Sequence, residues 1–403
     1  MINGIFRQIV VSVLILLLVL PSVLSAYEET TLKDKPILDE ILFSLKVRTY
    51  MKIINMPSLV ACVIYNNSVV WSKTYGCSGV YIRHKANLDS IYVVGSISKT
   101  IVATALMQLY ENENFGLDDN ISKFLPFDIK NPNHPAVNIT FRMLLAHQSS
   151  LGDTFFDLFH FLPLIDNRSQ WIEERLIPGQ EKYRETYWKD YAPGENCSYS
   201  NMGFVLLALL VEKISGMPFE EYCQKNIFSS LCMNSTSFNI EGLNKRKLAR
   251  PNFHVFGGIY IPFFNYDAKC LAACGGLRTT ADDLSHFLIV HMNKGVWNGV
   301  RILNESTIEL MHSVQYPNST QSFYDNNLQH GLGWIHLNLS GEMWQGYNGG
   351  AIGYCCNMMF KESSNIGVIM LSNGHFSRSF FSKERIVYYN KLGDLLIQKA
   401  EVE

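Results

Sequence analysis

The run Val93-Val94-Gly95-Ser96-Ile97-Ser98-Lys99-Thr100 decides how this chain is read. It holds the only Ser-x-x-Lys among the 403 residues. Ile101, Val102, Ala105, Leu106 and Leu109 follow at helical spacing. They predict a largely buried helix from Ser96 to about Glu113, ended by Gly116 and the Asp118-Asp119 pair. Residues three apart share a helix face, so the Lys99 ammonium can reach the Ser96 hydroxyl. A serine at a helix N-terminus also sits where the backbone dipole favours developing negative charge. A hydroxyl is a poor nucleophile without a base, and lysine can serve when burial and positive neighbours lower its pKa. The alternative is an ordinary helix start with an exposed lysine. The apolar residues on both sides argue against it.

Two further motifs follow in order. Tyr199-Ser200-Asn201 comes after Pro193-Gly194, on a loop entering the apolar stretch Gly203 to Ile214, which closes at Gly216. That stretch is too short to span a bilayer and is expected to be a core helix. A tyrosine beside a lysine can carry a proton between nucleophile and leaving group. An asparagine amide can hold the lysine or a substrate carbonyl. Taken alone, Tyr199 reads more simply as a buried tyrosine with a satisfied hydroxyl. Tyr347-Asn348-Gly349-Gly350 then reads as a glycine-rich turn onto a strand, where missing side chains let a substrate approach the backbone. A backbone N–H there, with that of Ser96, would form an oxyanion hole; such donors are worth about 3 kcal/mol each. A tight turn or bulge is the competing explanation.

Around these motifs, strand signals lie at both ends of the chain. Lys33 to Ile54 reads as a helix, with Leu38, Ile41, Leu42 and Leu45 at helical spacing. Ser58 to Tyr65 and Ser68 to Tyr75 read as strands joined by the Asn66-Asn67 turn. Ile91 to Val94 is a short approach to Ser96. Glu342 to Gln345, Cys356 to Phe360 and Ile366 to Leu371 are late strands, and Arg385 to Lys399 is an amphipathic stretch that can pack back as a helix. The expected fold class is α+β, with three α/β/α layers. A mostly antiparallel sheet is built from both chain ends and flanked by helices, with an inserted helical lobe. Residues 27–403 are expected to form one domain, its sheet lobe about 27–95 and 270–403 and its helical lobe about 96–269.

Composition sets outer bounds. With 47% hydrophobic and 17% charged residues the chain can bury a substantial core, and a net charge of -2 without a basic run offers no nucleic-acid footprint. Arg7, the apolar run Ile9 to Leu20 and the small residues Ser22 to Ala26 read as an export signal, residues 1–26, cleaved near Ser25 or Ala26 or retained as an anchor. The expected location is therefore extracytoplasmic, secreted or tethered to a membrane through the N-terminus. Asn-x-Ser/Thr sequons at Asn66, Asn120, Asn138, Asn167, Asn196, Asn234, Asn304, Asn318 and Asn338 fit an exported glycoprotein. Export permits disulfides, but nine cysteines leave at least one unpaired in a monomer. Cys62 reads as a core residue, and the adjacent Cys355 and Cys356 should face opposite sides of a strand. Cys270-x-x-x-Cys274 lacks a second ligand pair, so no zinc site is read there. No metal or organic cofactor is expected.

The three motifs together resemble the serine β-lactamase and penicillin-binding-protein superfamily, in the branch nearest class C β-lactamases and their esterase and peptidase relatives. The resemblance runs from about Leu38 to Leu371. It is also carried by Leu144-Leu145-Ala146-His147-Gln148-Ser149-Ser150-Leu151, by Gly275-Gly276-Leu277-Arg278-Thr279-Thr280-Ala281-Asp282-Asp283-Leu284 and by Gly331-Leu332-Gly333-Trp334. It implies Ser96 as the acylated nucleophile, Lys99 and Tyr199 as the base and acid pair, and Asn201 as a positioning group. The N–H groups of Ser96 and Gly350 would form the oxyanion hole; Tyr347, Asn348 and Gly349 would face the substrate, and His147 would be structural. One departure stands out: the family's third motif begins with lysine or histidine, and here it begins with Tyr347. Tyrosine is neutral at ordinary pH, which favours an ester or an uncharged peptide over a β-lactam. The implied activity is hydrolysis of an ester or amide bond in a small molecule or peptide. The alternative is a non-catalytic binding or assembly protein that keeps the fold.

Overall fold

Nine strands form one antiparallel sheet whose middle is made from the two ends of the chain. They are β1 (Ser58–Tyr65), β2 (Ser68–Gly79), β3 (His84–Lys85), β4 (Gln321–Phe323), β5 (Asn326–His330), β6 (Ile335–Leu339), β7 (Glu342–Ala351), β8 (Tyr354–Lys361) and β9 (Ile366–Ser372). Their spatial order is β4-β5-β6-β7-β8-β9-β1-β2-β3. The computed structural model describes residues 35–79, 84–153, 167–254, 259–319, 321–323, 326–339, 341–375 and 383–400. The apolar run expected to direct export lies outside them.

The pairing of β1 with β9, from Val60 opposite Leu371 to Tyr65 opposite Ile366, closes the chain ends onto each other. Asn66 and Asn67, at φ 47° and 62°, make the turn from β1 into β2, because asparagine tolerates the left-handed backbone that a tight hairpin needs. Nearly every residue of β1 and β9 is buried on both faces. That requires cover on both sides, and the helices α4 (Ala281–Met292) and α5 (Lys383–Ala400) each pack on both strands. The expected mixed fold, with an antiparallel sheet from both ends, is therefore the observed one.

Two long helices carry the polar residues of interest. In α2 (Ser98–Glu111), residues Ser98 to Met107 are all buried. In α3 (Asn201–Ser215), Met202 to Val211 are buried, Ser200 caps the start by accepting from Gly203 N–H, and Gly216 closes the end at φ 71°. The two helices pack on each other, and the short helix Ala272–Gly275 packs on both. No single helix among the described residues is long and apolar enough to cross a membrane.

Residues 1–53 and 54–403 form two compact units. In the first, α1 (Lys35–Ile53) is helical as expected, but Ile41 and Leu45 are 51% and 55% exposed. Its apolar residues are spread around the helix rather than gathered on one face. Cys62 is buried, and Cys356 is buried where Cys355 is half-buried, in line with strand alternation. Cys62, Cys77, Cys197, Cys223, Cys232, Cys274 and Cys356 are free thiols.

Candidate active site

Ser96 does not open the α-helix itself. It sits in a 3-10 turn, Gly95–Ile97, just ahead of α2. Gly95 takes φ 55°, and a Cβ there would stand 2.7 Å from Gly350 N. Only glycine lets the serine turn press this closely against β7. Gly349 serves the same approach from the other side, since its Cβ would lie 1.8 Å from Val94 O. Tyr347 to Gly350 is thus continuous strand rather than the turn expected from its glycines, and the missing side chains make room for the serine turn.

Around Ser96 the polar groups converge. Its Oγ lies 2.7 Å from the Tyr199 hydroxyl and accepts from Lys99 Nζ at 3.1 Å. Lys99 Nζ also donates to Asn201 Oδ1 at 2.7 Å and to the Cys274 carbonyl at 2.6 Å. Three donors of one ammonium thus meet three acceptors. Lys99 is 0% exposed, which excludes the exposed lysine weighed above. The rings of Tyr199 and Phe204 face its ammonium with centroids at 4.9 and 5.7 Å. Ser96, Lys99, Tyr199 and Asn201 are therefore brought together within hydrogen-bond reach, from a turn, a helix, a loop and a second helix start.

A carboxylate that the sequence reading overlooked holds this arrangement from behind. Asp153 accepts from Asn201 N–H at 2.7 Å, from Met202 N–H at 3.1 Å and from Asn201 Nδ2 at 2.7 Å. It occupies the N-terminus of α3, where unpaired N–H groups and the helix dipole favour an anion. Burial pushes its carboxyl up, while the Asn201 and Met202 donors and the Lys99 charge pull it down. The available signal was its position just after the Leu144 to Leu151 stretch; nothing in its own neighbourhood links it to Asn201. The Cys274 carbonyl was invisible for the same reason. The Cys274 thiol is pushed up to about 11 by burial, so it stays protonated and its backbone does the binding.

On β7, period-two alternation separates the expected substrate-facing residues. Tyr347 and Gly349 are buried, while Asn348 and Gly350 are exposed. Asn348 Oδ1 accepts from Asn357 Nδ2 at 2.6 Å across to β8. Tyr347 is 3% exposed, and its hydroxyl lies 3.1 Å from His147 Nε2. The expectation of a substrate-facing Tyr347 is corrected by this placement: its ring lies on the inward face of the strand, behind Tyr199. Burial pushes its hydroxyl well above the ordinary phenol range, and burial, with the Lys99 ammonium nearby, pushes His147 well below the ordinary imidazole range. Among the described residues no group of three His, Cys, Asp or Glu side chains can hold a metal ion.

Comparison with known proteins places this chain among relatives. A family model described as Beta-lactamase matches residues 43–388. The chain is 25% identical to Beta-lactamase-like protein 2 of Dictyostelium discoideum over 87% of its own length and 60% of that protein. It therefore spans about 60% of the length of the first curated relatives it matches. It is 24% identical to penicillin-binding protein 4 of Amycolatopsis lactamdurans, covering 76% of this chain and 77% of that one. Among solved structures, the octameric penicillin-binding protein homologue from Pyrococcus abyssi superposes with a TM-score of 0.66 at 25% identity, over 83% of this chain and 73% of that one. The D-amino acid amidase of Ochrobactrum anthropi SV3 reaches 0.69 at 19% identity, over 89% and 98%, a likeness of fold.

Proposed function

The chain belongs to the β-lactamase family, and on that premise we propose that it is a serine hydrolase that cleaves an ester or amide bond through an acyl-enzyme on Ser96. The observation that carries this reading is the position of Ser96 Oγ, 2.7 Å from Tyr199 Oη and 3.1 Å from Lys99 Nζ. Ser96 Oγ attacks the substrate carbonyl, and its proton passes to the Lys99–Tyr199 pair. The N–H groups of Ser96 and Gly350 receive the oxyanion. The pair returns the proton to the leaving alcohol or amine. Water then attacks the acyl-enzyme, giving its proton to the same pair, and Ser96 leaves with that proton restored.

The third motif supplies no cation to the site: Tyr347 is neutral and buried on the inward face of β7, so no charge from it meets a substrate carboxylate, and an uncharged ester or amide suits the site better than a β-lactam. The Ochrobactrum protein is a D-amino acid amidase by its description, and an amide of a small molecule or short peptide falls within the class proposed here.

Fluorophosphonate labelling of the purified protein, read by intact mass and by the modified peptide, tests the acyl-enzyme. One adduct on Ser96, lost in Ser96→Ala, is expected. No adduct beside a reactive control hydrolase would favour a non-catalytic protein that keeps the fold. A short-chain ester and a chromogenic β-lactam run in parallel test the substrate class, and fast lactam turnover would overturn that part.

A further inference from the structure

Away from the candidate site, one surface region combines exposed apolar side chains with unpaired cations. Ile259, Ile261 and Phe264 are 53%, 52% and 56% exposed, and Pro262 among them is exposed as well. They lie on and beside Tyr260–Pro262, the outer strand of a small three-stranded sheet, which pairs with Asn252–His254. A cluster of exposed apolar side chains marks an interaction site. Just before the same sheet come Lys245, Arg246, Lys247 and Arg250, four cations within six residues of a chain whose net charge is -2. Lys247 pairs with Asp89 at 3.3 Å. Lys245, Arg246 and Arg250 are exposed, and among the described residues no acidic side chain pairs with them. Between 241 and 267 the chain sets only two acids, Glu241 and Asp267, against the four cations. Asp267 is turned onto the Lys269 N–H at 3.1 Å.

The fold brings the two groups together. The Phe263 N–H donates to the Pro251 carbonyl at 2.8 Å, and Asn252 stands opposite Pro262, so the register sets Arg250 opposite Phe264. The buried Tyr354 hydroxyl, at the start of β8, lies 2.6 Å from the Ala249 carbonyl and 3.0 Å from Asn265 Oδ1. One oxygen thus joins the cationic segment to the apolar one. Arg278, also buried, donates to the Tyr266 carbonyl and holds the far end of the apolar segment. We propose that this region docks on an anionic lipid surface, its cations meeting the headgroups while Ile259, Ile261 and Phe264 enter the acyl boundary. The pairing of chemistries selects the occupant. A nucleic acid or a sulfated polysaccharide would engage the cations and leave the apolar side chains in water. An apolar protein face would cover those side chains and leave the cations without counter-charge. An anionic bilayer surface satisfies both. The proposal depends neither on Ser96 as a nucleophile nor on the N-terminal apolar run.

Hydrogen–deuterium exchange of the full chain tests it, with vesicles of phosphatidylcholine alone and of phosphatidylcholine with about 30% phosphatidylserine. Amides within 245–250 and 259–264 should exchange more slowly with the anionic vesicles than with neutral vesicles or none. Replacing Lys245, Arg246 and Arg250 together by Gln should raise the lipid concentration for half-protection about 100-fold, roughly fivefold for each charge. Ile261→Ser with Phe264→Ser should remove the protection and leave the melting temperature nearly unchanged, because both side chains are exposed. Equal protection by neutral vesicles, or by heparin without lipid, would overturn the proposal. Protection that grows with protein concentration in the absence of lipid would assign the surface to a second copy of the chain and overturn it too. So would vesicle binding with no protection at these residues, the result expected if the N-terminal run alone held the chain. The wild-type measurement decides the matter if a variant does not fold.

Discussion

Around Lys99, three acceptors from Ser96, Asn201 and Cys274 close on one buried ammonium. Around Trp334, by contrast, histidines are buried against one another and against the indole. His291 Nδ1 lies 3.2 Å from His312 Nε2, and both rings pack on Trp334, with centroids at 4.3 and 4.8 Å. His336 and His330 continue the group, and His330 meets His147 edge-on at 5.0 Å. One region surrounds a basic group with oxygen acceptors. The other gives its basic groups aromatic neighbours and one another, so burial pushes His312 down to about 3 and His330 to about 4. The difference teaches that burial alone does not assign function. The acceptor-rich cluster can hold a buried ammonium, and the histidine cluster tolerates only the neutral form.

Four measurements test that contrast. If Ser96 is the nucleophile proposed above, Ser96→Ala should lower ester turnover by about a thousandfold or more while leaving the melting temperature nearly unchanged, because a half-buried serine adds little packing. A large drop in melting temperature would make the site structural. Acid should act on the other region. Its histidines are neutral in the folded state, whereas the unfolded chain binds protons below about 6.5. Stability is therefore complete above that pH and declines as pH falls towards about 4 and 3. His330 alone accounts for about 3 kcal/mol of this loss, measured by denaturant titration at several pH values. A flat profile from neutrality to pH 4 would remove the contrast.

Gly349→Ala probes the junction of the serine turn and β7. Its Cβ would collide with the Val94 carbonyl, so β7 must shift and carry Gly350 N with it. Turnover should fall about 100-fold, with a stability loss of about 1–3 kcal/mol. Trp334→Phe should show the reverse balance. It trims the ring that the histidines pack on, costing about 1–2 kcal/mol in denaturant unfolding, with turnover at neutral pH within about twofold of wild type.

Much of the architecture was legible in the sequence because it rests on local pattern. The Asn66-Asn67 turn between two β-branched runs, the apolar face of α2 and the uniformly apolar α3 all state their environment within ten or fifteen residues. The α1 stripe was over-read: helical spacing of Leu38, Ile41, Leu42 and Leu45 predicts a helix, but not how much of it is covered. The motif Tyr347 to Gly350 was assigned to a turn because glycine favours both turns and close strand approach, and only the neighbouring Val94 and Gly95 backbone distinguishes them.

The sequence alone supplied the residue types for the proposed acyl transfer, their order along the chain, and the mixed fold that gathers strands from both ends. Serine three residues before lysine is a local relation, enforced by helical geometry wherever the segment folds. Only the tertiary structure decided what stands behind those residues. Asp153 meets Asn201 across 48 positions, and His147 meets Tyr347 across 200. Contacts at such separations depend on how helices and sheet pack, and no local periodicity encodes them. The same packing turned Tyr347 inward, its hydroxyl 3.1 Å from His147 Nε2, and left Gly350, three residues later, exposed on the other face of β7.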